Sequence, residues 1–397
     1  MQTLKTTQVD FNNTELAFRS QSNIALKQAY HLFKIMNNKK LVNIGEKLVN
    51  FAFKIHFPIQ GIIRNTIYKH FVGGTTIENC NKTIEQLAKR NVGSILDYAL
   101  EGEDTEEIFD HTCNEIIRTV EYAHKSKNVP FSAFKITGIG CFDLLAKVSE
   151  NNLLTIEDEQ RFKSVERRME AIFKRGYELG VPILIDAEQT WIQRILDEMV
   201  LSQMSKFNKE KAIVQNTYQI YRRDGLERLK LHHRLALQKG FKFGLKIVRG
   251  AYMETERERA LEIGYPSPIQ PDKFSTDKDF DAAIHYMVEN RNTIDFMVAT
   301  HNEESSNLLA KLIDENGLER NHPGIYFSQL YGMSDHITYN LAENGYNVVK
   351  YLPYGEITTM MPYLFRRARE NSSIKGQTSR ELQLLKSEIK RRKEVSN

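Results

Sequence analysis

The stretch Asn347 to Asn371 reads NVVKYLPYGEITTMMPYLFRRAREN, and its pattern predicts a strand, a turn and a helix. Its first five residues are typical of a short buried strand. Pro353 and Gly355 are predicted to end that strand, because proline lacks a backbone amide and glycine accepts unusual φ angles. A helix is predicted from about Thr358. A strand that leads through a turn into a helix is the repeating unit of α/β folds.

The predicted helix carries a polar face built from four side chains. Tyr363 precedes Arg366 and Arg367 by three and four residues, and Glu370 follows them by four and three. Residues at these spacings are neighbours on a helix surface. Two guanidinium groups can bind a planar carboxylate through paired hydrogen bonds. The face therefore predicts a site for a small carboxylate, and a solvated face with ordinary ion pairs is the alternative.

The alternation of apolar runs and amphipathic segments recurs eight times between Val92 and Tyr351. Eight strand and helix repeats predict an α/β fold, a (β/α)8 TIM-type barrel. An open doubly wound sheet is the alternative, although no GxGxxG motif follows any of the runs. The predicted strands are Val92–Tyr98, Phe131–Thr137, Val181–Asp186, Ala212–Asn216, Gly244–Val248, Asp295–Thr300, Ile325–Gln329 and Asn347–Tyr351.

Three parts of the chain are predicted. Residues 1–90 form an N-terminal accessory helical region, because apolar residues recur at helical spacing in LKQAYHLFKIM and LVNFAFKIHF. Residues 91–384 form the barrel, and residues 385–397 form a basic C-terminal tail. The basic amphipathic stretch from Arg380 either packs on the protein or is attracted to an acidic membrane surface.

Composition excludes some classes of protein. The 397 residues include 55 basic and 51 acidic side chains that are interspersed, which does not suggest nucleic-acid binding. Cys80, Cys113 and Cys141 lack metal or disulfide spacing and are interpreted as buried thiols in a reducing compartment. No run approaches the length of a membrane span, and the first residues lack the apolar core of a signal peptide. The expected location is cytoplasmic, with peripheral attachment at the inner membrane as the alternative.

Polar residues follow the predicted strands where a barrel places its active site, at the carboxyl ends. Lys135 and Lys246 lie inside apolar runs, so a buried ammonium there needs a partner such as Asp186. The strand-end residues are Lys135, Thr137, Asp186, Glu188, Gln215, Asn216, Arg249, His301, Asn302, Gln329 and Tyr351.

The ending YLPYGEITTMMPYLFRRARENSS resembles the signature of the proline dehydrogenase family. FSAFKITGIG, ILIDAEQTW, LKIVRGAYMETERERALEIGY, VATHNEESS and FSQLYGMSD resemble further segments of that family, in the same order. The resemblance covers Val92 to Leu384 and is to the monofunctional, mitochondrial-type enzymes. The chain is too short for the fused aldehyde dehydrogenase of the bifunctional type. NNLLTIEDEQ lacks the ligand pattern of a calcium loop, so no metal is expected.

The resemblance implies FAD-dependent oxidation of L-proline to 1-pyrroline-5-carboxylate, the first step of proline catabolism. Hydride would pass to the flavin and electrons then to a membrane quinone, with peripheral membrane contact. Hydroxyproline dehydrogenase is the alternative within the family, although the bulk of Tyr351 favours proline over 4-hydroxyproline. Oligomeric state is not predicted, and the group that deprotonates the proline amine is either Asp186 or solvent.

The resemblance also assigns roles to individual residues. Arg366, Arg367 and Lys135 match carboxylate-binding positions, with Glu370 in support. Asp186 matches an active-site aspartate linked to the tyrosine and arginine cluster. Side chains that enclose the proline ring are Tyr351, Tyr363, Leu330 and Tyr252. Positions that match flavin contacts or lie in flavin-lining segments are Gln215, Lys246, Arg249, Gly250, Thr300, His301, Asn302 and Gln329.

Three other interpretations of the sequence stay open. A metal-dependent hydrolase on the same barrel would use Asp186, Glu188 and His301 as ligands, although only one histidine lies at a strand end. A Schiff-base aldolase would use Lys135 or Lys246, with a pKa lowered by burial. A non-catalytic helical interaction module could be formed by the first ninety residues.

Overall fold

Eight parallel strands close into a barrel in sequence order, with the last strand paired to the first. The computed structural model describes residues 9–98, 104–373 and 377–396, so the predicted N-terminal start at residues 1–8 and the last residue of the tail lie outside it. The prediction of a TIM-type barrel is confirmed. The strands are β1 (Val92–Tyr98), β2 (Phe131–Lys135), β3 (Ile183–Asp186), β4 (Val214–Gln219), β5 (Phe243–Val248), β6 (Ile294–Ala299), β7 (Ile325–Leu330) and β8 (Val348–Tyr354).

Helices precede the barrel, alternate with its strands and close the chain. A π turn at Arg64–Tyr68 joins the fourth and fifth helices. The helices are α1 (Thr14–Phe18), α2 (Asn23–Met36), α3 (Lys39–Lys54), α4 (Gln60–Ile63), α5 (Lys69–Phe71), α6 (Ile77–Ala88), α7 (Glu106–Lys125), α8 (Phe142–Ser149), α9 (Ile156–Leu179), α10 (Thr190–Phe207), α11 (Gly225–Lys239), α12 (Met253–Ile263), α13 (Lys273–Glu289), α14 (Glu303–Glu315), α15 (Asp335–Glu343), α16 (Ile357–Ser373) and α17 (Gln377–Ser396).

The strand pleat divides the core in two. Side chains on the outer face of the barrel pack against the surrounding helices in one large apolar layer. A smaller apolar cluster that includes Ile95, Leu184 and Met297 fills the barrel interior. Alternate residues of a strand point to opposite faces, so Asp97, two residues after Ile95, points into the barrel at its carboxyl end. The interior therefore changes from apolar to charged at the end where barrel enzymes place their sites.

The prediction that Pro353 ends the eighth strand is wrong, because β8 continues through it to Tyr354. Pro353 pairs with Asp97 of β1, and its carbonyl oxygen accepts a hydrogen bond of 2.9 Å from the Gly73 amide. Proline is tolerated there because β7 has already ended opposite Tyr351, so no strand on that side needs the missing amide. Gly355, with φ 154°, follows the strand as predicted.

The fourth strand lies further along the chain than predicted. Asn208 fixes the first residue of this strand, Val214. Its side chain accepts a 2.8 Å hydrogen bond from the Val214 amide and donates one of 2.8 Å to the Val214 carbonyl. The strand then continues to Gln219. The prediction that Gln215 and Asn216 close this strand is therefore wrong, and both lie near its amino end.

The basic C-terminal stretch packs on the protein, which is the first of the two alternatives. Leu384 and Leu385 of α17 are buried in the apolar cluster that also contains residues of α2. The cationic groups of Arg391 and Arg392 bind the buried Glu388, at 2.8 Å and 2.7 Å. These two arginines are therefore used inside the fold.

The three cysteines are buried and free, as predicted. Burial raises the pKa of Cys80 to about 12 and that of Cys113 to about 11, so both thiols are poor nucleophiles. Over residues 9–98, 104–373 and 377–396, none of the helices has the length and apolar character of a membrane span.

Candidate active site

A cavity of about 170 Å³ opens at the carboxyl ends of the first strands. Its charged lining consists of two acids, Asp97 and Glu188, and two bases, Lys135 and Arg366, and Tyr252 closes one side. Three of the predicted substrate-site residues, Lys135, Arg366 and Tyr252, are thereby brought together. A cavity that offers both cations and carboxylates suits a small zwitterionic substrate.

A buried ion pair lies inside the barrel at the same end. The Lys246 Nζ atom donates hydrogen bonds to Asp186 Oδ1 at 2.5 Å and to the Tyr351 hydroxyl at 2.6 Å, and that hydroxyl donates to Asp186 Oδ1 at 2.9 Å. Lys246 is only 3% exposed, so the carboxylate supplies the partner that a buried ammonium requires. Burial and the neighbouring Asp186 raise the pKa of Tyr351 well above its usual range. This arrangement fixes the tyrosine ring.

The polar face predicted for the helix after β8 is present on α16. Arg367 Nη1 lies 2.6 Å from Glu370 Oε2, and the Arg367 guanidinium carbon lies 5.5 Å from the centre of the Tyr363 ring. Tyr363 is buried, yet its hydroxyl has no hydrogen-bond partner within the described chain. A buried hydroxyl without a protein partner costs free energy, so this atom is available to bond a ligand in the site.

A second polar cluster lies at the carboxyl ends of β5 and β6. Arg249 donates hydrogen bonds to Asp277 at 2.8 Å, to the Thr300 hydroxyl at 2.8 Å and to the Ser305 hydroxyl at 3.0 Å. The Asn302 side chain caps α14 by accepting a 2.8 Å hydrogen bond from the Ser305 amide. A cation beside the start of a 13-residue helix suits an anionic group such as a phosphate.

Gly250 and His301 flank this second cluster. Gly250 has φ 138°, and a Cβ atom there would lie 2.4 Å from the Tyr221 ring, so packing alone requires glycine. His301 Nδ1 lies 2.9 Å from the Ser334 hydroxyl. Burial and the nearby Lys350 ammonium lower the pKa of His301 well below its usual range, so the ring is neutral at pH 7.

The side-chain amides of two predicted cofactor residues are engaged within the protein. Gln215 is near the amino end of β4, where its side chain donates a 3.1 Å hydrogen bond to the Ala212 carbonyl. Gln329 is 2% exposed and binds the Thr300 carbonyl and the Thr338 hydroxyl, at 3.2 Å and 2.8 Å. Both amides are thus held by the protein itself, and the structure does not bring Gln215 to the site.

Leu330 lies beside Tyr351, its register partner on the neighbouring strand. It also packs against the apolar cluster that contains Tyr363 and other residues of α16. Its position therefore agrees with the predicted place in the wall of the substrate pocket.

Sequence reasoning missed two charged residues. Asp97 lines the cavity, and burial together with the nearby Asp186 raises its pKa to about 6. Lys350 is fully buried and forms an ion pair of 3.0 Å with Asp335. Both could have been found, because each is the single charge in an apolar strand run, VGSILDY and NVVKY.

The side chains suggested for a metal site are engaged elsewhere. Glu188 accepts a hydrogen bond of 2.7 Å from the Thr137 hydroxyl, Asp186 binds Lys246, and His301 binds Ser334. Over the part of the chain that the structure describes, no group of three or more His, Cys, Asp or Glu side chains is placed to hold a metal ion. The geometry gives the hydrolase interpretation no support.

Comparison with known proteins gives a consistent result. The family model "Proline dehydrogenase" matches residues 80–380. "Proline dehydrogenase 1, mitochondrial" of Dictyostelium discoideum is 35% identical over 400 residues, which cover 90% of this chain and 69% of that protein. The human protein of the same name is 40% identical over 246 residues, which cover 61% of this chain and 41% of that protein. "Carbapenem antibiotics biosynthesis protein CarD" of Pectobacterium carotovorum is 34% identical, with 84% of this chain and 86% of that protein covered.

Solved structures with the same fold are longer proteins. Proline utilization A from Bdellovibrio bacteriovorus, inactivated by N-propargylglycine, superposes with a TM-score of 0.71 at 21% identity. The superposition covers 92% of this chain but 38% of that one. Since the family model matches most of the chain, the predicted family and enzyme class are confirmed. The chain belongs to the proline dehydrogenase family.

Proposed function

We propose that this protein oxidises L-proline to 1-pyrroline-5-carboxylate, the first step of proline catabolism, with bound FAD as hydride acceptor. The observation that carries the proposal is the cavity at the carboxyl end of the barrel. There Lys135 and Arg366 present two cations to a space that a small zwitterion would fill, in a chain of the proline dehydrogenase family.

The substrate carboxylate is assigned to Arg366, Arg367 and Lys135. Guanidinium groups on adjacent helix residues can each donate two parallel hydrogen bonds to a carboxylate, and the lysine adds a point charge. The 2.6 Å ion pair between Arg367 and Glu370 fixes one of the two forks before substrate arrives. Positioning of this kind supplies much of the rate in a reaction that needs two groups in contact.

The pyrrolidine ring is assigned to the space beside Tyr351, Tyr363 and Leu330. The Tyr351 ring cannot move aside easily, because its hydroxyl is held by both Lys246 and Asp186. A fixed aromatic ring excludes water and leaves little room for a substituent on carbon 4. This rigidity favours proline over 4-hydroxyproline as the substrate.

The polar clusters described above fit the flavin cofactor. Arg249, Thr300 and Asn302 surround the start of α14 with a cation and hydrogen-bonding groups, which suits the diphosphate of FAD. Lys246, which lies inside the barrel beside Tyr351, would help to hold the flavin ring. When bound, FAD supplies the acceptor for the hydride from proline carbon 5, and the protein supplies orientation and charge.

We propose that Asp97 is the base that accepts the proton of the substrate amine. The amine must be neutral for its lone pair to assist hydride loss, and a base works best when its pKa is near the working pH. The Asp186 carboxylate is bound by Lys246 and Tyr351, whereas Asp97 lines the cavity and has a pKa of about 6. In Asp97→Asn we expect the fall of kcat/KM below pH 6 to disappear. An unchanged acid limb would assign the proton to solvent.

The electron acceptor is proposed to be a membrane quinone, which requires the protein to reach a bilayer surface at least transiently.

Turnover of the FAD-loaded protein tests the proposed function. L-Proline, a soluble dye acceptor and o-aminobenzaldehyde are supplied together, and the coloured adduct of 1-pyrroline-5-carboxylate is measured. We expect adduct formation that depends on proline and is lost in the double variant Arg366→Met/Arg367→Met. Dye reduction without the adduct would refute the product assignment, and no reduction by FAD-loaded protein would refute the oxidation itself.

A further inference from the structure

Helix α3 exposes an apolar stripe to solvent. Leu41, Ile44, Leu48, Phe51 and Ile55 recur at intervals of three and four residues and are between 47% and 61% exposed. At about 100° per residue these five side chains lie on one side of the helix. Single exposed apolar residues are ordinary, but a continuous stripe on a monomer marks a surface that is covered by something else.

The stripe is separate from the face that α3 buries. Val42 and Ala52 point toward the protein, where α3 packs against α2 and α16. Each buried residue follows a stripe residue by one position, so it is rotated by about 100° around the helix from that residue. The packed face explains why α3 is held in place, and the stripe remains as additional apolar surface that the fold does not use.

Lysines border the stripe on the side away from the protein. Lys40, Lys47 and Lys54 recur every seven residues, so they form a row along the helix next to the apolar side chains. The wider segment 23–69 contains eight lysine or arginine residues and one acid, Glu46. The whole chain has a net charge of only +4, so the positive charge is concentrated in this segment and the rest is slightly acidic.

We infer that this face of α3 binds the surface of a bilayer that contains anionic lipids. A helix with an apolar stripe flanked by lysines lies in the membrane interface, with the stripe among the acyl chains and the lysines at the headgroups. The 16 residues of α3 give it a length of about 24 Å, so it can lie along the surface of the bilayer. It carries too many polar residues to cross the bilayer. The concentrated positive charge selects an anionic surface over a neutral partner.

The surface is connected to the site described above. Arg369 of α16 forms an ion pair with Glu46 of α3, with an Nε to Oε2 distance of 3.0 Å. The same α16 carries Arg366 and Arg367. Docking through α3 would therefore hold the substrate-binding helix next to the bilayer. This last consequence rests on the proposed function, but the lipid-binding surface does not.

Vesicle flotation tests the proposal without turnover. Full-length protein is mixed with phosphatidylcholine vesicles, with or without phosphatidylglycerol, in the absence of proline. We expect binding to the anionic vesicles to fall at least about tenfold in Leu48→Glu/Phe51→Glu, because two apolar side chains no longer enter the interface. Leu237→Glu/Leu261→Glu is the matched control, since these leucines are also exposed but lie on α11 and α12. The control should float like the wild type.

A second variant tests the charge. In Lys40→Gln/Lys47→Gln/Lys54→Gln we expect weaker binding to anionic vesicles and a smaller loss of binding on addition of salt. Thermal unfolding of each variant verifies folding. Equal flotation of the wild type and Leu48→Glu/Phe51→Glu would overturn the proposal. So would a wild type that binds no vesicles and is a dimer that this variant dissociates, because a second copy would then cover the stripe.

Discussion

Replacement of Asp97 by asparagine should change how stability depends on pH. Asp97 is 8% exposed, and burial and the neighbouring Asp186 raise its pKa from 3.8 to about 6, against the opposing charges of Lys135 and Arg366. Between these two pH values the folded protein keeps a proton that the unfolded chain has lost. This proton therefore contributes to the free energy of unfolding. Its contribution is complete below about pH 4 and is lost as the pH rises through about 6.

The size of the effect follows from the two pKa values. The rise from 3.8 to about 6 corresponds to at most about 3 kcal/mol in the free energy of unfolding. Asparagine has a similar shape and no charge, so Asp97→Asn should lose this pH dependence. Relative to wild type, the variant should gain up to about 3 kcal/mol between pH 4 and pH 7.5.

Urea unfolding at a series of pH values measures the difference between variant and wild type. Glu85→Gln serves as the control, because Glu85 is an exposed acid on α6 whose charge touches no part of the cavity. A difference in unfolding free energy between Asp97→Asn and wild type that is constant from pH 4 to pH 7.5 would contradict a raised pKa of Asp97. It would mean that Asp97 is ionised at low cost, through closer contact with the cations around it.

Three further predictions concern the site and its support. Arg366→Met and Arg367→Met should each raise KM for proline at least about tenfold, since each removes charged hydrogen bonds to the carboxylate, while bound flavin is retained. Steady-state kinetics and flavin absorbance measure the two properties, and an unchanged KM would contradict the assignment. Tyr351→Ser should raise kcat/KM for 4-hydroxyproline relative to proline by about tenfold, as competing-substrate assays would show. Gly250→Ala should cost about 1–3 kcal/mol of unfolding free energy beyond Gly264→Ala, because both have positive φ but only Gly250 meets a neighbouring side chain; equal costs in urea unfolding would contradict this.

The sequence predicts the barrel well because its signals are local. Strand Val92–Tyr98 has the predicted bounds, and the other seven predicted strands overlap the observed ones, since apolar runs mark them locally. The extent of β8 depends on where β7 ends, and local sequence does not reveal this tertiary contact.

The candidate site was predicted in part for the same reason. Tyr363, Arg367 and Glu370 are neighbours on one helix, so their spacing sufficed. Asp186 and Tyr351 meet Lys246 only because the barrel closes. The apolar surroundings of Lys246 predicted Asp186 as a partner, whereas the part of Tyr351 came from the family resemblance. Gln215 was misplaced because a shift of a few residues in β4 moves it to the other end of the barrel.

The apolar stripe on α3 shows the limit of periodicity. The segment LVNFAFKIHF predicts a helix, but helical spacing alone does not tell whether an apolar face is packed or exposed. Only the positions of α2 and α16 show that one face is covered and the other is not.

The most direct test of the proposed function is the visible absorption spectrum of the FAD-loaded protein, recorded anaerobically before and after addition of L-proline. We expect a flavin spectrum that bleaches with proline and bleaches less with 4-hydroxyproline at the same concentration. A protein that cannot be loaded with FAD, or a bound flavin that stays oxidised in excess proline, would contradict it.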